Sequence, residues 1–222
     1  LADVALWLSG RVPPPSVICI VAYYVTWALA LWRGGPRRLR QVSLAAASVS
    51  TVVVMTAPAV GVTPASRGVL RLTMIDVGQG DAMVLQFPTG QSLLVDCGGT
   101  PGPFDIGGRV VTPWIWALGI RRLDWLAITH GDLDHLGGAR AVLGDLRPRE
   151  IWEGVPVPRS RELQVLRADA RARGAAWRTL LAGAKLEMGD VVLEVLHPPP
   201  PEWERQKIRN DDSLVLRVLY DR

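Results

Sequence analysis

The sequence predicts an α/β protein in two parts, with membrane-spanning helices over residues 1–68 and a mixed domain over residues 69–222. Two long uncharged apolar segments predict the helices. After residue 68, apolar and polar residues first alternate as in half-buried strands, and then helical and strand patterns follow one another. This order of elements indicates a sheet covered by helices.

The two uncharged segments are residues 16–32 and 42–62, which contain 17 and 21 residues. About 20 apolar residues cross a bilayer, so both are candidate membrane spans with the lipid bilayer as partner. The intervening RGGPRRLR (33–40) is expected to stay cytoplasmic, which places the mixed domain on the extracytoplasmic side of the inner (plasma) membrane. The alternative for residues 42–62, which contain Ser, Thr and Pro58, is a buried soluble helix.

The net charge of +4 belongs to the first part of the chain. Residues 1–68 contain six arginines and one acidic residue, whereas residues 69–222 contain 19 basic and 20 acidic residues. The mixed domain therefore lacks the overall positive charge typical of nucleic-acid-binding domains. The motifs of serine hydrolases, P-loop proteins and dinucleotide-binding folds do not occur in the sequence.

The mixed domain begins with three predicted strands at 69–77, 82–88 and 92–98, separated by GQGD and TGQ turns. A glycine-rich loop then leads to a helix over about 109–118, and LDWLAIT (123–129) is apolar enough for a strand buried on both faces. The remaining predicted elements are a helix over about 138–143, a strand at EIWEGV, a helix over 160–173, and strands at 191–196 and 213–220.

Four potential metal ligands directly follow the buried strand. A strand end and a tight loop can direct all four side chains into one space, and Gly137 and Gly138 let the next helix begin close to them. Imidazole and carboxylate together suit zinc, manganese or iron. The alternative is a solvated acidic loop with incidental histidines. The four residues are His130, Asp132, Asp134 and His135.

Other polar residues at strand ends are weaker candidates. His197, at the end of a predicted strand, is either a further ligand or a structural turn residue. Asp81 and Asp96 are expected to cap turns, with the alternative that either accepts a hydrogen bond from a metal-binding histidine. Residues 210–213 (NDDS) are interpreted either as a contact to a substrate phosphate or as a turn.

Six ordered elements resemble the metallo-β-lactamase-like domain of ComEC-type DNA-uptake channel proteins of bacterial competence. In that family the domain follows a helical channel domain, which matches the predicted membrane spans. The resemblance implies an αβ/βα sandwich with metal ions at one sheet edge. Because the family pattern continues beyond residue 222, the sandwich is expected to be incomplete at its C-terminus. The elements are DVGQGDA (76–82), VDCGG (95–99), the run 110–130, HGDLDHLGG, LHP (196–198) and NDDSLVL (210–216).

The resemblance implies two divalent metal ions, manganese or zinc, in the complete protein. His130 and Asp132 would hold one ion and Asp134 and His135 the other, and His197 matches the next superfamily histidine. Asp132 replaces the second histidine of the usual H-x-H-x-D-H motif, and a carboxylate there favours manganese. Asp134 would be the catalytic residue, orienting the attacking hydroxide and assisting the leaving group.

The implied function is a membrane-anchored, metal-dependent hydrolase of a DNA-uptake channel. It would be a nuclease that degrades the DNA strand that is not imported, with DNA and other competence-machinery proteins as partners. One alternative is hydrolysis of another phosphodiester, such as a choline-phosphate or nucleotide ester. A second is a non-catalytic metal-binding channel accessory. Residues 69–222 alone are expected to bind at most one metal ion, weakly, and to be inactive.

The predicted sidedness can be tested with alkaline phosphatase fusions. Because arginine-rich loops stay cytoplasmic, a fusion after residue 68 should be active and a fusion at residue 36 inactive. The opposite pattern of phosphatase activity would rule out this topology.

Overall fold

The computed structural model describes residues 15–56, 68–201 and 205–220. The chain divides into two compact units, Leu1–Val62 and Thr63–Arg222. Residues 57–62 of the second predicted membrane span, including Pro58, lie outside the described residues.

The first unit contains two helices that contact each other, α1 (Val17–Leu31) and α2 (Arg37–Thr56). Ser16 caps α1, since its side chain accepts a hydrogen bond from the Cys19 amide at 3.3 Å. The Trp27 indole donates to the Thr51 hydroxyl at 3.3 Å across the helix pair. Two small buried residues, Ala30 and Ala47, are typical of close helix packing.

No helix among the described residues is both long enough and apolar enough to cross a membrane. Helix α1 has 15 residues, fewer than the roughly 20 that span a bilayer. Helix α2 has 20 residues, but its first turn contains Arg37, Arg38 and Arg40. The two predicted membrane spans are therefore not confirmed.

The second unit contains a six-stranded sheet in the order β1-β2-β3-β4-β5-β6. The first three strands pair antiparallel and β3 to β6 pair parallel. The central β4 pairs on both sides and is buried, as its apolar sequence predicts. The strands are β1 (Arg71–Met74), β2 (Met83–Gln86), β3 (Ser92–Val95), β4 (Trp125–Ile128), β5 (Glu150–Glu153) and β6 (Ala176–Thr179).

Helices cover one face of this sheet, and apolar residues from helices and strands share a single buried cluster there. The helix predicted over 109–118 begins earlier than expected, as a π-helical turn at Gly107–Val111, and continues as α3 (Thr112–Ala117). A short helix in the loop after β4 was not predicted. The remaining helices are that short α4 (Leu133–Leu136), α5 (Ala139–Leu146) and α6 (Arg161–Ala172).

A second, three-stranded antiparallel sheet packs on the other face through an apolar cluster that includes Trp152, Phe87 and Leu193. Its strands are β7 (Lys185–Met188), β8 (Val191–His197) and β9 (Val215–Tyr220). Strands β6 and β7 were not predicted, because both are short and mix polar with apolar residues.

The described residues of the second unit thus form three layers, helices, sheet and sheet. This is a mixed α/β arrangement of the kind the resemblance implies. The second helical layer of an αβ/βα sandwich is not among the described residues. Leu196, Val215 and Leu219 of the three-stranded sheet are exposed.

Candidate functional site

The four predicted metal ligands lie in the loop that follows β4. Because β3, β4 and β5 are parallel, their carboxyl ends meet at one sheet edge, where ligands bind in open α/β sheets. Asp132 ends the extended part of the loop, and α4 begins directly after it. Asp134 and His135 therefore lie on the first helical turn, whereas His130 and Asp132 precede it.

Glycines allow neighbouring backbone segments to approach this loop closely. A Cβ atom on Gly80 would lie 1.8 Å from the Asp134 carbonyl oxygen, and one on Gly99 would lie 1.9 Å from that of Leu133. The approach is fixed by hydrogen bonds from the Cys97 amide to the His135 carbonyl at 2.8 Å and from the Gly138 amide to the Gly98 carbonyl at 2.9 Å. The DVGQGDA and VDCGG segments are thus a cradle for the loop.

Asp96, at the end of β3, is the buried acceptor that joins this cradle to the histidines. Its side chain is 1% exposed, and its backbone has a φ of 58°. One carboxylate oxygen accepts from the Thr129 amide at 2.8 Å. The other accepts from the Thr129 hydroxyl at 2.6 Å and lies 2.8 Å from Nδ1 of His135. Three donors therefore satisfy a carboxylate that would be costly to bury alone.

These contacts assign the protons of both imidazole rings in their neutral form. Since ionised Asp96 can only accept, Nδ1 of His135 carries the proton. The Thr129 hydroxyl already donates to Asp96, so it accepts from Nδ1 of His130 at 3.1 Å. Both rings are therefore Nδ1–H tautomers, and both Nε2 atoms keep a lone pair for a ligand.

The pKa of His135 is raised above the ordinary value of 6.5. The largest cause is the hydrogen bond to Asp96, opposed by partial burial, and the charges of Asp96, Asp134 and Asp81 raise it further. A proton will therefore compete with a metal ion for this ring at acidic pH.

The four side chains form two donor pairs. Oδ2 of Asp132 lies 3.4 Å from Nε2 of His130, and Oδ2 of Asp134 lies 3.7 Å from Nε2 of His135. Two ligands at about 2.1 Å from one tetrahedral ion are roughly 3.4 Å apart, so each pair is spaced to share an ion. The two imidazole centroids are 4.1 Å apart.

The chemistry of this donor set fits the divalent ions that the resemblance implies, because neutral imidazole and carboxylate oxygen suit zinc and manganese. Within the described parts of the chain, no group of three or more His, Cys, Asp or Glu side chains is arranged to hold a metal ion. The fit therefore rests on the two donor pairs, each of which offers two protein ligands to one ion.

The other candidates lie in different surroundings. Half-exposed Asp81 has Oδ2 at 4.0 Å from Nδ1 of His135, beside the donor pairs. His197 lies at the end of β8, where Nε2 donates to the Asp211 carbonyl at 2.6 Å. That nitrogen is thus occupied by a proton in this structure. Residues 210–213 contain a short 3₁₀ turn, Asn210–Asp212, in agreement with the turn interpretation.

Sequence reasoning did not single out Thr129 or Glu153. Thr129 is the last residue before His130, and a hydroxyl next to a candidate ligand is the signal that could have identified it. Glu153 ends β5 and lines a small pocket together with His130. Its two carboxylate oxygens accept from Nη2 of Arg167 at 2.6 and 2.8 Å. Glu153 is the last residue of β5, whereas His130 lies two residues beyond the end of β4, and one carboxylate alone carries no metal signature.

Residues 75–204 match the sequence profile of the Metallo-beta-lactamase superfamily, which covers more than half of the chain. The chain belongs to the metallo-beta-lactamase superfamily. Over 231 aligned residues, 97% of the chain is 30% identical to ComE operon protein 3 of Bacillus subtilis (strain 168). The chain spans 28% of the length of that relative. The resemblance is thereby confirmed for the superfamily and for similarity to a competence-operon protein.

The solved structures that match the chain are more distant in sequence. The metallo-beta-lactamase fold protein YhfI from Bacillus subtilis matches at a TM-score of 0.42 and 14% identity, over 68% of this chain and 58% of that one. Rubredoxin oxygen:oxidoreductase from Desulfovibrio gigas matches at a TM-score of 0.44 and 15% identity, over 65% of this chain and 36% of that one.

The glycine cradle gives a stability prediction. Gly99→Ala should lower the free energy of unfolding by about 1–3 kcal/mol, because the new methyl group meets the Leu133 carbonyl oxygen. Gly144→Ala, in the middle of α5, is the matched control. Its methyl group would have only the end of Arg173 nearby, at 3.9 Å, so this variant should be stabilised by up to about 1 kcal/mol. Urea unfolding measures the stability of both variants. An unfolding midpoint of Gly99→Ala equal to that of the unchanged protein would contradict the close approach at Gly99.

Proposed function

We propose that this chain carries the hydrolytic centre of a metal-dependent phosphodiesterase, a nuclease of a DNA-uptake system. The observation that carries the proposal is the pair of free Nε2 atoms, each beside an aspartate oxygen at the carboxyl edge of the sheet. Similarity to a competence-operon protein supports the nuclease assignment and competence-machinery partners.

In this proposal His130 and Asp132 hold one divalent ion and Asp134 and His135 hold the other. The ions, zinc or manganese, would supply Lewis-acid polarisation of a phosphoryl oxygen and activation of water. Asp96 keeps Nε2 of His135 free by accepting Nδ1–H. The further candidates are Asp81, which lies beside His135, and His197, at the end of β8 in the second sheet.

Asp134 is the proposed catalytic residue. Its side chain is about half exposed, so water and substrate can reach the carboxylate. From its position next to His135 the carboxylate would orient the attacking water, accept its proton at Oδ and return a proton to the leaving oxygen. Asp132 is similarly exposed, and in this proposal it serves ion binding only.

A second candidate substrate is a small phosphodiester. Residues 69–222 have 19 basic and 20 acidic residues, and a nearly neutral domain has no general attraction for the DNA backbone. DNA would then need guidance from outside this domain.

Anchoring in the plasma membrane, with the mixed domain on the extracytoplasmic side, is also part of the proposal. The apolar segments 16–32 and 42–62 support it.

Replacement of the proposed catalytic carboxylate tests the hydrolase assignment. In the full-length protein, Asp134→Ala should lower the rate of metal-dependent phosphodiester cleavage by about 10²–10⁴-fold, because the group that accepts the proton is lost. Asp169→Ala is the matched control, since Asp169 lies on α6 and its side chain contacts only Arg140 in the described contacts. The assay compares single-stranded DNA with a small phosphodiester such as bis-p-nitrophenyl phosphate.

Preference for single-stranded DNA supports the nuclease, and preference for the small ester supports the second candidate. Equal rates in Asp134→Ala and the unchanged protein would reject the catalytic role. Metal binding by the full-length protein without turnover of either substrate would indicate a non-catalytic accessory.

A further inference from the structure

The segment before β9 crosses from the second sheet to the metal-ligand loop. The Leu214 amide donates to the Thr129 carbonyl at 2.8 Å, which attaches this segment to the end of β4. Ile208 packs over Gly131 so closely that a Cβ atom on Gly131 would lie 2.7 Å from Cδ1 of Ile208. The connection between β8 and β9 thus contributes side chains to a site whose predicted ligands follow β4 of the first sheet.

Ser213 is the member of this segment that contacts a predicted ligand. Its hydroxyl donates to the Asn210 carbonyl at 2.6 Å, and Oγ lies 3.3 Å from Nδ1 of His130. Because the single hydroxyl proton is donated to the Asn210 carbonyl, Oγ can only accept a hydrogen bond from the imidazole. Thr129 is in the same situation, since its proton goes to Asp96.

Two hydroxyl acceptors therefore face one ring nitrogen. We propose that Ser213 is a positioning residue that, together with Thr129, holds His130 as the Nδ1–H tautomer. This tautomer leaves Nε2 without a proton on the side of Asp132. Histidine in water favours the Nε2–H form, so the tautomer depends on acceptors that the fold supplies at Nδ1. The inference rests on the proposed function only where it takes His130 as a metal ligand.

The direct readout is the tautomer of His130 in the full chain without metal, measured from ¹⁵N NMR shifts of the imidazole nitrogens. In the unchanged chain Nδ1 should be protonated. In Ser213→Ala the equilibrium should shift towards Nε2–H, because the Thr129 acceptor alone remains. Ser213→Thr keeps the hydroxyl and should restore the original tautomer. The Leu214 amide donates to the Thr129 carbonyl, so slow hydrogen exchange of this amide shows in each variant that the segment is still docked.

Ser213→Cys provides a second test should the alanine variant undock the segment. It nearly keeps the size of serine, but sulfur is a weak acceptor, so the shift towards Nε2–H should persist. An unchanged His130 tautomer in a docked Ser213→Ala or Ser213→Cys variant would overturn the proposal.

Zinc titration of the same variants separates this inference from the proposed function. If His130 is a ligand, loss of its supporting contact in Ser213→Ala should weaken zinc binding by about 10-fold or more, and Ser213→Thr should recover the affinity. A tautomer shift without any change in zinc affinity would support the role of Ser213 and contradict His130 as a ligand.

Discussion

The site depends on one buried carboxylate, that of Asp96. It ends β3 with a left-handed backbone conformation and accepts hydrogen bonds from the Thr129 amide, the Thr129 hydroxyl and His135. Burial makes each of these bonds strong and makes any missing donor costly. Since the Thr129 hydroxyl is turned towards Asp96, its lone pair faces His130. Asp96 thus determines directly which nitrogen of His135 carries the proton, and through Thr129 it contributes to the same choice in His130.

The backbone around Asp96 makes this arrangement possible. Gly99, three residues after Asp96, and Gly80 let the DVGQGDA and VDCGG segments touch the backbone of the ligand loop. Neighbouring Cys97 is fully buried, and burial raises the pKa of its thiol well above the usual range. Its place in VDCGG is therefore a packing position, and the chemistry belongs to the histidines and aspartates of the adjacent loop.

Much of this could be predicted from sequence where a short pattern fixes local structure. The apolar LDWLAIT segment predicted a central strand, and the ligands crowded behind it predicted a site at the sheet edge. Sequence patterns could not predict β6 and β7, because their polar residues adopt the strand conformation through pairing with β5 and β8. Nor could they show that Ser213 reaches His130, since 83 positions separate the two and only the packing of the two sheets brings them together. The apolar segments predicted membrane spans, but in the structure arginines occupy the start of α2 and α1 is shorter than a span.

The role of Asp96 is tested most directly by titrating His135 by NMR in the metal-free chain and in Asp96→Asn. Asparagine tolerates the left-handed backbone but carries no charge. We expect a His135 pKa above 6.5 in the unchanged chain and a lower pKa in the variant. Because the folded-state pKa is raised, the stabilisation from this contact is complete below the unfolded-state pKa of about 6.5 and is lost as the pH rises through the folded-state pKa. The same His135 pKa in both proteins would contradict the role of Asp96 as the acceptor of its proton.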